Sequence, residues 1–203
     1  MKIICIGRNY VAHIQELGNQ VPEEPVIFMK PKTAIISPGQ NMQYPHFSRN
    51  LHYECELVLH ICKNGRNIPR KLAHEFFDQI TVGIDFTCRD LQDKLKQKGL
   101  PWEKAKAFDQ SAAIGHFIPV SELKHPSNID FALQKNGEKV QHGQSELMMH
   151  SFDDILSHVS EYFTLNIGDL VFTGTPAGVG PCVPTDRLEG FIEGQKLLDL
   201  EII

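Results

Sequence analysis

The sequence predicts a β-rich α+β fold. Most apolar segments are short and alternate with polar residues, amphipathic helical segments are few, and the two types do not follow one another in a regular order. A parallel α/β fold needs that regular order, so the pattern favours a sheet-rich domain with a few short helices. A chain of 203 residues is long enough for one substantial core, which predicts a single domain over residues 1–203.

The first fifty residues predict short elements separated by turns. Apolar runs predict the strands, and Gly18 is expected to end the first helix because glycine readily adopts the left-handed conformation found there. In chain order, we predict a strand at 2–6, a helix at 10–17, a loop at 19–25, a strand at 26–30 and a turn at 37–39.

The remaining elements have clearer signals. Asn136-Gly137 lies between two alternating segments and is typical of a tight hairpin turn. A helix is expected to begin at Thr87, with Asp90 three residues later as a short capping box. In chain order, we predict a strand at 51–62, a turn at 64–65, a helix at 69–79, a strand at 80–86, the helix from Thr87, a hairpin at 131–141, an amphipathic helix at 151–163 and strands at 170–173 and 197–203.

Two glutamates lie within the predicted strand at 51–62. Every odd position of that segment is apolar, which is typical of a strand with one buried face, and Glu54 and Glu56 project together from the other face. Two neighbouring carboxylates repel each other unless a cation or a proton lies between them. For the glutamates alone, a solvated polar face is the alternative interpretation.

Asp85 ends the next buried strand, at 80–86. An aspartate is seldom placed in such an apolar run without a partner. Since Asp85 lies where a strand passes into a predicted helix, it can converge with Glu54 and Glu56 on an open cleft. Three carboxylates would form an all-oxygen site of the kind that Mg²⁺ or Mn²⁺ prefers.

Composition excludes several classes of function. The net charge of −5 favours neither nucleic acid nor an anionic membrane as a partner. Apolar runs are too short to span a bilayer, and the N-terminal segment is too short for a signal peptide. The five cysteines are scattered, which argues against a disulfide framework and a thiolate zinc site. We therefore predict a cytoplasmic protein.

Motifs spread over nearly the whole chain make it similar to the fumarylacetoacetate hydrolase superfamily, in particular its acylpyruvase and oxaloacetate decarboxylase branch. The resemblance implies a rolled mixed β-sheet, a homodimer and a divalent metal, usually Mg²⁺, with Glu54, Glu56 and Asp85 as its ligands. The matching motifs are Gly7-Arg8-Asn9-Tyr10, His13-x-x-Glu16, Phe28-Met29-Lys30-Pro31, Glu54-x-Glu56, Asp85-x-Thr87-x-Arg89-Asp90-x-Gln92, Lys98-Gly99-Leu100-Pro101-Trp102, Lys106, Asn136-Gly137-Glu138, Gly168-Asp169 and Thr173-Gly174-Thr175-Pro176-x-Gly178-Val179-Gly180.

His13 and Glu16 are the candidates for activating water. They lie three residues apart on the predicted short helix and so share a face, which lets the carboxylate orient the imidazole and raise its basicity. A solvated surface pair is the alternative. The resemblance implies a catalytic dyad on a segment that closes over the substrate, and the surrounding glycine and prolines suit a lid over residues 10–25.

Other polar residues are candidates for substrate binding. Arg89 and Gln92 lie one helical turn apart, and a guanidinium can hold a carboxylate by two hydrogen bonds. The resemblance selects Lys106, which the local sequence alone does not distinguish from Lys104, as a catalytic lysine. Arg8, in the matching motif Gly7-Arg8-Asn9-Tyr10, is also a substrate-binding candidate, and the Thr175 hydroxyl is a candidate donor to the substrate. The glycine-rich segment around Thr175 lacks the lysine of a phosphate-binding loop and is better explained as a backbone wall beside the substrate.

These residues suggest hydrolysis of an acylpyruvate. In this hypothesis the C1 carboxylate and C2 keto oxygen of a small 2-oxo acid chelate the metal, and water activated by the dyad attacks C4. The C3–C4 bond then breaks to release a carboxylic acid and the enolate of pyruvate. Three alternatives stay open: decarboxylation of oxaloacetate, isomerisation of unsaturated 2-oxo diacids, and metal binding without turnover.

Overall fold

The strands of the structure, a computed structural model that describes residues 1–18 and 20–203, fall into three sheets. They are β1 (Ile3–Gly7), β2 (Val26–Lys30), β3 (Ile35–Ile36), β4 (Leu51–Tyr53), β5 (Cys55–Ile61), β6 (Phe77–Asp85), β7 (Thr87–Cys88), β8 (Ala112–Ile114), β9 (Ile118–Pro119), β10 (Asp130–Lys135), β11 (Glu138–Gln144), β12 (Leu170–Phe172), β13 (Gly180–Pro181), β14 (Arg187–Ile192) and β15 (Gln195–Glu201). The α-helices are α1 (Val11–Glu16), α2 (Arg89–Gln97), α3 (Glu103–Lys106) and α4 (Phe152–Tyr162).

The main sheet is mixed and strongly curled, and its strand order is β2-β1-β12-β5-β6-β8-β3, with β9 beside β6. The pairs β1–β12 and β3–β8 are parallel, and the other pairs are antiparallel. A second sheet has the order β11-β10-β14-β15, and a third has the order β13-β4-β7. The predicted β-rich α+β fold with a rolled mixed sheet is thus confirmed. No helix in the described part of the chain is both long and apolar enough to cross a bilayer.

The central strand β5 is buried on both faces. Leu57 and Leu59 belong to the main core, whereas Val58 packs in a second cluster with Ile3 and Phe172. The second sheet contacts β5 and β6 and so covers one face of the main sheet. The predicted single buried face for residues 51–62 is therefore wrong, because both faces of the main sheet carry apolar layers. The glutamates of this segment are consequently buried as well.

Several predicted elements are confirmed. The strand at 26–30 has the predicted bounds. The predicted hairpin forms, and its turn lies at Asn136 and Gly137, whose φ angles are 55° and 83°. Positive φ at both central residues is the geometry that Asn-Gly favours in a two-residue turn. Helix α4 covers 152–162 of the predicted 151–163, and Ser151 caps it by accepting the backbone N–H of Asp154.

Other local predictions are wrong. The segment predicted as a helix at 69–79 forms a 3₁₀ helix over Arg70–Phe76, after which β6 begins at Phe77, because the last residues pair with β5. Helix α2 begins at Arg89 rather than Thr87, which pairs with β4 as part of β7. The carboxylate of Asp90 accepts hydrogen bonds from Ser48 and from the backbone N–H groups of Arg49 and Leu91 instead of forming the predicted capping box.

Candidate metal centre and active-site cleft

Three carboxylates converge where β5 and β6 pair. Glu54 lies in the break between β4 and β5, Glu56 is the second residue of β5, and Asp85 is the last residue of β6. Antiparallel pairing sets Glu56 opposite Gly83, and the backbone N–H of Asp85 donates to the carbonyl of Glu54 at 2.8 Å. One oxygen from each carboxylate lies within 4.8 Å of the others, and all three residues are buried. The structure therefore brings the three carboxylates together as predicted.

Buried cations contact two of these carboxylates. Lys106 Nζ lies 2.7 Å from Glu54 Oε2 and 2.6 Å from Asp85 Oδ2, and Arg89 donates to Glu54 Oε1 at 2.6 Å. Burial alone would raise the pKa of Glu54, but the positive charges of Lys106 and Arg89 outweigh it and hold that pKa well below its ordinary value. Glu54 is therefore ionised.

Glu56 has a different environment. Its Oε2 accepts the backbone N–H of Gly174 at 2.8 Å, and no described lysine or arginine lies within ion-pairing distance of it. Burial and the negative charges of Asp85 and Glu54 raise the pKa of Glu56 well above its ordinary value. A divalent cation between the carboxylates would compensate this charge, because it would attract all three at once.

The oxygens present fit a metal such as Mg²⁺ or Mn²⁺. Asp85 Oδ1 is buried and has no hydrogen-bond donor. Lys30 Nζ forms an ion pair with this oxygen at 2.7 Å and also donates to the backbone carbonyls of Lys106 and Ser111, but a carboxylate oxygen has two lone pairs. Asp85 thus keeps a lone pair for a cation. An all-carboxylate set matches the hard oxygen ligands that these divalent cations prefer.

His13 and Glu16 lie together on helix α1 as predicted. His13 Nδ1 lies 3.4 Å from Glu16 Oε2, and the backbone N–H of Gly178 donates to both oxygens of Glu16 at 3.1 and 3.2 Å. Burial lowers the pKa of His13, although the charges of Glu54 and Glu16 act in the opposite direction. The imidazole is thus buried, unlike that of a solvated surface pair, and its burial favours the neutral form.

All of the predicted site residues except Glu16 line one cleft. Its empty volume is about 440 Å³ including its opening to solvent. Arg89 donates to Gln92 Oε1 at 2.6 Å, while Thr175 Oγ1 accepts from Gln141 at 2.9 Å. The residues lining the cleft are Ile6, Gly7, Arg8, His13, Leu17, Phe28, Glu54, Glu56, Asp85, Arg89, Gln92, Lys96, Trp102, Lys106 and Thr175.

Two buried residues that the sequence did not assign to the site hold it in place. Lys30 supports Asp85 and the backbone of Lys106. The Gln141 amide accepts the backbone N–H of Cys55 at 2.9 Å and donates to Thr175 and to the carbonyl of Pro176. The position of Lys30 at the end of the apolar segment 26–30 could have predicted its role in the site. For Gln141 there was none, since polar residues alternate along an ordinary hairpin strand.

Comparisons with known proteins identify the family of this chain. A family model described as the fumarylacetoacetate (FAA) hydrolase C-terminal domain matches residues 2–202. Oxaloacetate tautomerase YcgM of Escherichia coli is 41% identical over 197 residues, covering 97% of this chain and 90% of the relative. The mitochondrial oxaloacetate tautomerase FAHD1 of Bos taurus is 40% identical over 192 residues, covering 95% and 87%.

A solved structure is also very similar. The fumarylpyruvate hydrolase of Pseudomonas aeruginosa, in complex with Mn²⁺ and pyruvate, superposes with a TM-score of 0.94 at 39% identity. The match covers 100% of this chain and 89% of that one. Together with the family match over 2–202, these similarities show that the chain is an enzyme of the fumarylacetoacetate hydrolase C-terminal family.

Proposed function

We propose that this enzyme hydrolyses the C3–C4 bond of acylpyruvates, which are 2,4-dioxo acids, to pyruvate and a carboxylic acid. The observation that carries the proposal is the position of His13, a buried imidazole that lines the same cleft as three converging carboxylates. The similarity to a fumarylpyruvate hydrolase solved with Mn²⁺ and pyruvate supports the same class of substrate.

Glu54, Glu56 and Asp85 would hold Mg²⁺ or Mn²⁺. Bound there, the metal supplies Lewis-acid polarisation of the 2-oxo acid and stabilises the negative charge that develops during cleavage. The rest of the chemistry belongs to residues of this chain.

His13 takes the role of general base in this proposal. Glu16 contacts Nδ1, which leaves Nε2 to accept a proton from water. The oxygen of that water bonds to C4, and the C3–C4 bond breaks with its electron pair passing to the pyruvate fragment. His13 then returns the proton to C3, so that atoms and charges balance. The contact between Glu16 and Gly178 fixes the helix that carries this pair.

Arg89, Lys106, Arg8, Thr175 and Gln92 bind the substrate or its developing charge. The Nε atom of Arg89 is buried and has no partner, while its other nitrogens already contact Glu54 and Gln92. An unpaired buried donor is costly, so a substrate carboxylate that accepts from it would be bound favourably. Lys106 is placed beside two of the carboxylates, where its ammonium can stabilise an oxyanion.

Chemistry on oxaloacetate is the second candidate, and it is favoured by the relatives named oxaloacetate tautomerase. Keto–enol conversion and decarboxylation of oxaloacetate both pass through an enol or enolate and need no attacking water. His13 would then move a proton between the enol oxygen and C3. Isomerisation of unsaturated 2-oxo diacids remains a third candidate.

A substrate panel tests the proposal. Acetylpyruvate, fumarylpyruvate and oxaloacetate are each given to the enzyme with Mg²⁺, with Mn²⁺ and with excess chelator, and hydrolysis, decarboxylation and tautomerisation are followed separately. We expect hydrolysis that chelator abolishes. Activity on oxaloacetate alone would instead support the second candidate.

Replacement of His13 separates the two chemistries. In His13→Ala we expect hydrolysis to fall by a factor of about 10²–10⁴, the usual contribution of a general base, while decarboxylation stays measurable. Glu146→Ala, a change at an exposed residue, is the control and should leave both activities as in the wild type. Equal loss of the two activities in His13→Ala would contradict a role in activating water.

We also propose residues 10–25 as a lid over the cleft, with Glu16 and Gly178 as its closing contact. Residue 19 of this segment lies outside the described residues. The single catalytic domain, the homodimer and the cytoplasmic location stay predictions.

A further inference from the structure

Lys96 lines the cleft but has no part in the proposed hydrolysis. It follows Arg89 at i+7 and Gln92 at i+4 on helix α2, so the three residues share one face of the helix, and all three line the cleft. A rise of 1.5 Å per residue puts Lys96 about 10 Å along the helix axis from Arg89. The backbone of Lys96 therefore lies about two helical turns from that of Arg89, the residue that contacts Glu54.

The ammonium of Lys96 is held by an aromatic ring rather than by an acid. Its Nζ lies 5.7 Å from the centroid of the Trp102 ring, and Trp102 packs edge-on against Phe28 at 6.2 Å. Lys96 is half-buried, and no carboxylate of the described residues forms an ion pair with it. Burial lowers the pKa of Lys96, and the positive charges of Arg89 and Arg8 add to that effect, while the charge of Asp93 opposes it.

A half-buried ammonium that lines the cleft beside Arg89 and Arg8 and pairs with no described carboxylate favours an anionic ligand. Lys106 and Arg89 differ, because Glu54 and Asp85 already compensate their charges. Phe28 and Trp102 add flat apolar surface to the same wall of the cleft. A carboxylate at the end of a planar carbon chain would contact the ring surface and the ammonium together.

We propose that Lys96 binds the distal carboxylate of the substrate, which makes the substrate a dicarboxylic 2-oxo acid rather than an acylpyruvate with an alkyl end. This inference rests on the proposed function, since the opposite end of the substrate is the 2-oxo acid group at the metal centre. Fumarylpyruvate and oxaloacetate both have such a second carboxylate, and acetylpyruvate does not.

The charges of the site support a dianion. Glu54, Glu56 and Asp85 carry three formal negative charges, and Lys30, Lys106 and Arg89 carry three positive charges in contact with Glu54 and Asp85. A divalent metal adds two positive charges, and Lys96 adds another. A substrate with two carboxylates compensates more of this excess than a substrate with one.

The kinetic test compares two dioxo acids in Lys96→Met, Lys96→Arg and the wild type. In Lys96→Met, we expect the ratio of kcat/KM for fumarylpyruvate to kcat/KM for acetylpyruvate to fall at least tenfold, mainly through KM. Lys96→Arg should restore most of the ratio. Lys94→Met, at an exposed position of the same helix, should leave the ratio at its wild-type value. An unchanged ratio in Lys96→Met would overturn the proposal.

A binding test keeps this inference separate from the reaction itself. Affinities of the Mn²⁺-loaded protein for 2-oxoglutarate and 2-oxopentanoate, which differ in the distal carboxylate, are measured by calorimetry. The wild type should prefer 2-oxoglutarate, and Lys96→Met should lose that preference. If the wild type hydrolyses neither dioxo acid yet shows this pattern, the hydrolase proposal fails and the role of Lys96 stands. Equal affinities in the wild type would overturn the role of Lys96.

Discussion

Glu56→Gln is expected to lower the affinity for Mg²⁺ or Mn²⁺ by more than about 100-fold, since losing even an indirect partner of a ligand costs about 10- to 100-fold. Acylpyruvate turnover should fall roughly a thousandfold, which corresponds to about 4 kcal/mol of transition-state stabilisation. A cation would stabilise Glu56 most, because two other carboxylates lie near it. The Gly174 N–H is the one hydrogen-bond donor to Glu56 among the described residues. Calorimetric titration and steady-state kinetics measure the two effects.

The stability of the metal-free variant separates a lost ligand from a damaged fold. Glutamine has nearly the same shape as glutamate and removes a negative charge from the cluster. Metal-free Glu56→Gln should therefore unfold at the same temperature as the metal-free wild type or higher, and added Mn²⁺ should raise the unfolding temperature of the wild type only. Glu138→Gln, in the exposed hairpin turn region, is the matched control. Wild-type Mn²⁺ affinity in Glu56→Gln would contradict the assignment.

Lys30→Met is expected to have the largest effect on stability. The change removes a buried cation that lies 2.7 Å from Asp85 Oδ1 and supports the backbone carbonyls of Lys106 and Ser111. Removing one partner of a buried ion pair costs about 3–5 kcal/mol, and Lys106, which Asp85 shares with Glu54, would compensate the remaining charge only in part. For a chain of this length, the unfolding temperature should fall by roughly 10 °C. Thermal unfolding of the metal-free protein measures this change.

A second substitution tests the cause of that loss. Asp85→Asn removes the charge that Lys30 compensates, so Lys30→Met combined with Asp85→Asn should be less destabilised than the sum of the two single variants. Lys32→Met, at an exposed position two residues away, should change stability by less than about 0.5 kcal/mol. Strict additivity of the two buried substitutions would show that Lys30 acts by packing rather than through Asp85.

The strands and the carboxylates could be predicted because their signals are local. Alternation over residues 51–62 located Glu54 and Glu56, and an aspartate ending an apolar run identified Asp85. Their convergence followed from one antiparallel pairing, β5 with β6. The resemblance to a known family added His13 and Lys106, which composition and spacing alone did not distinguish from surface residues.

The missed features depend on contacts between residues far apart in the chain. Residues 77–79 continue an apparently helical segment but pair with β5, and that pairing outweighs their local preference. Gln141 is an ordinary polar strand residue until folding places it against Cys55 and Thr175. Lys96 had no signal beyond its helical spacing from Arg89, because Trp102, which contacts its ammonium, lies on the loop after the helix.

The central claim is that Glu54, Glu56 and Asp85 bind one divalent cation. Crystals of the protein soaked in Mn²⁺ test it directly, because anomalous scattering locates the metal independently of any assay. We predict one strong peak per chain, roughly 2 Å from a carboxylate oxygen of each of the three residues. A peak at other side chains, or none at these three under saturating Mn²⁺, would contradict the account.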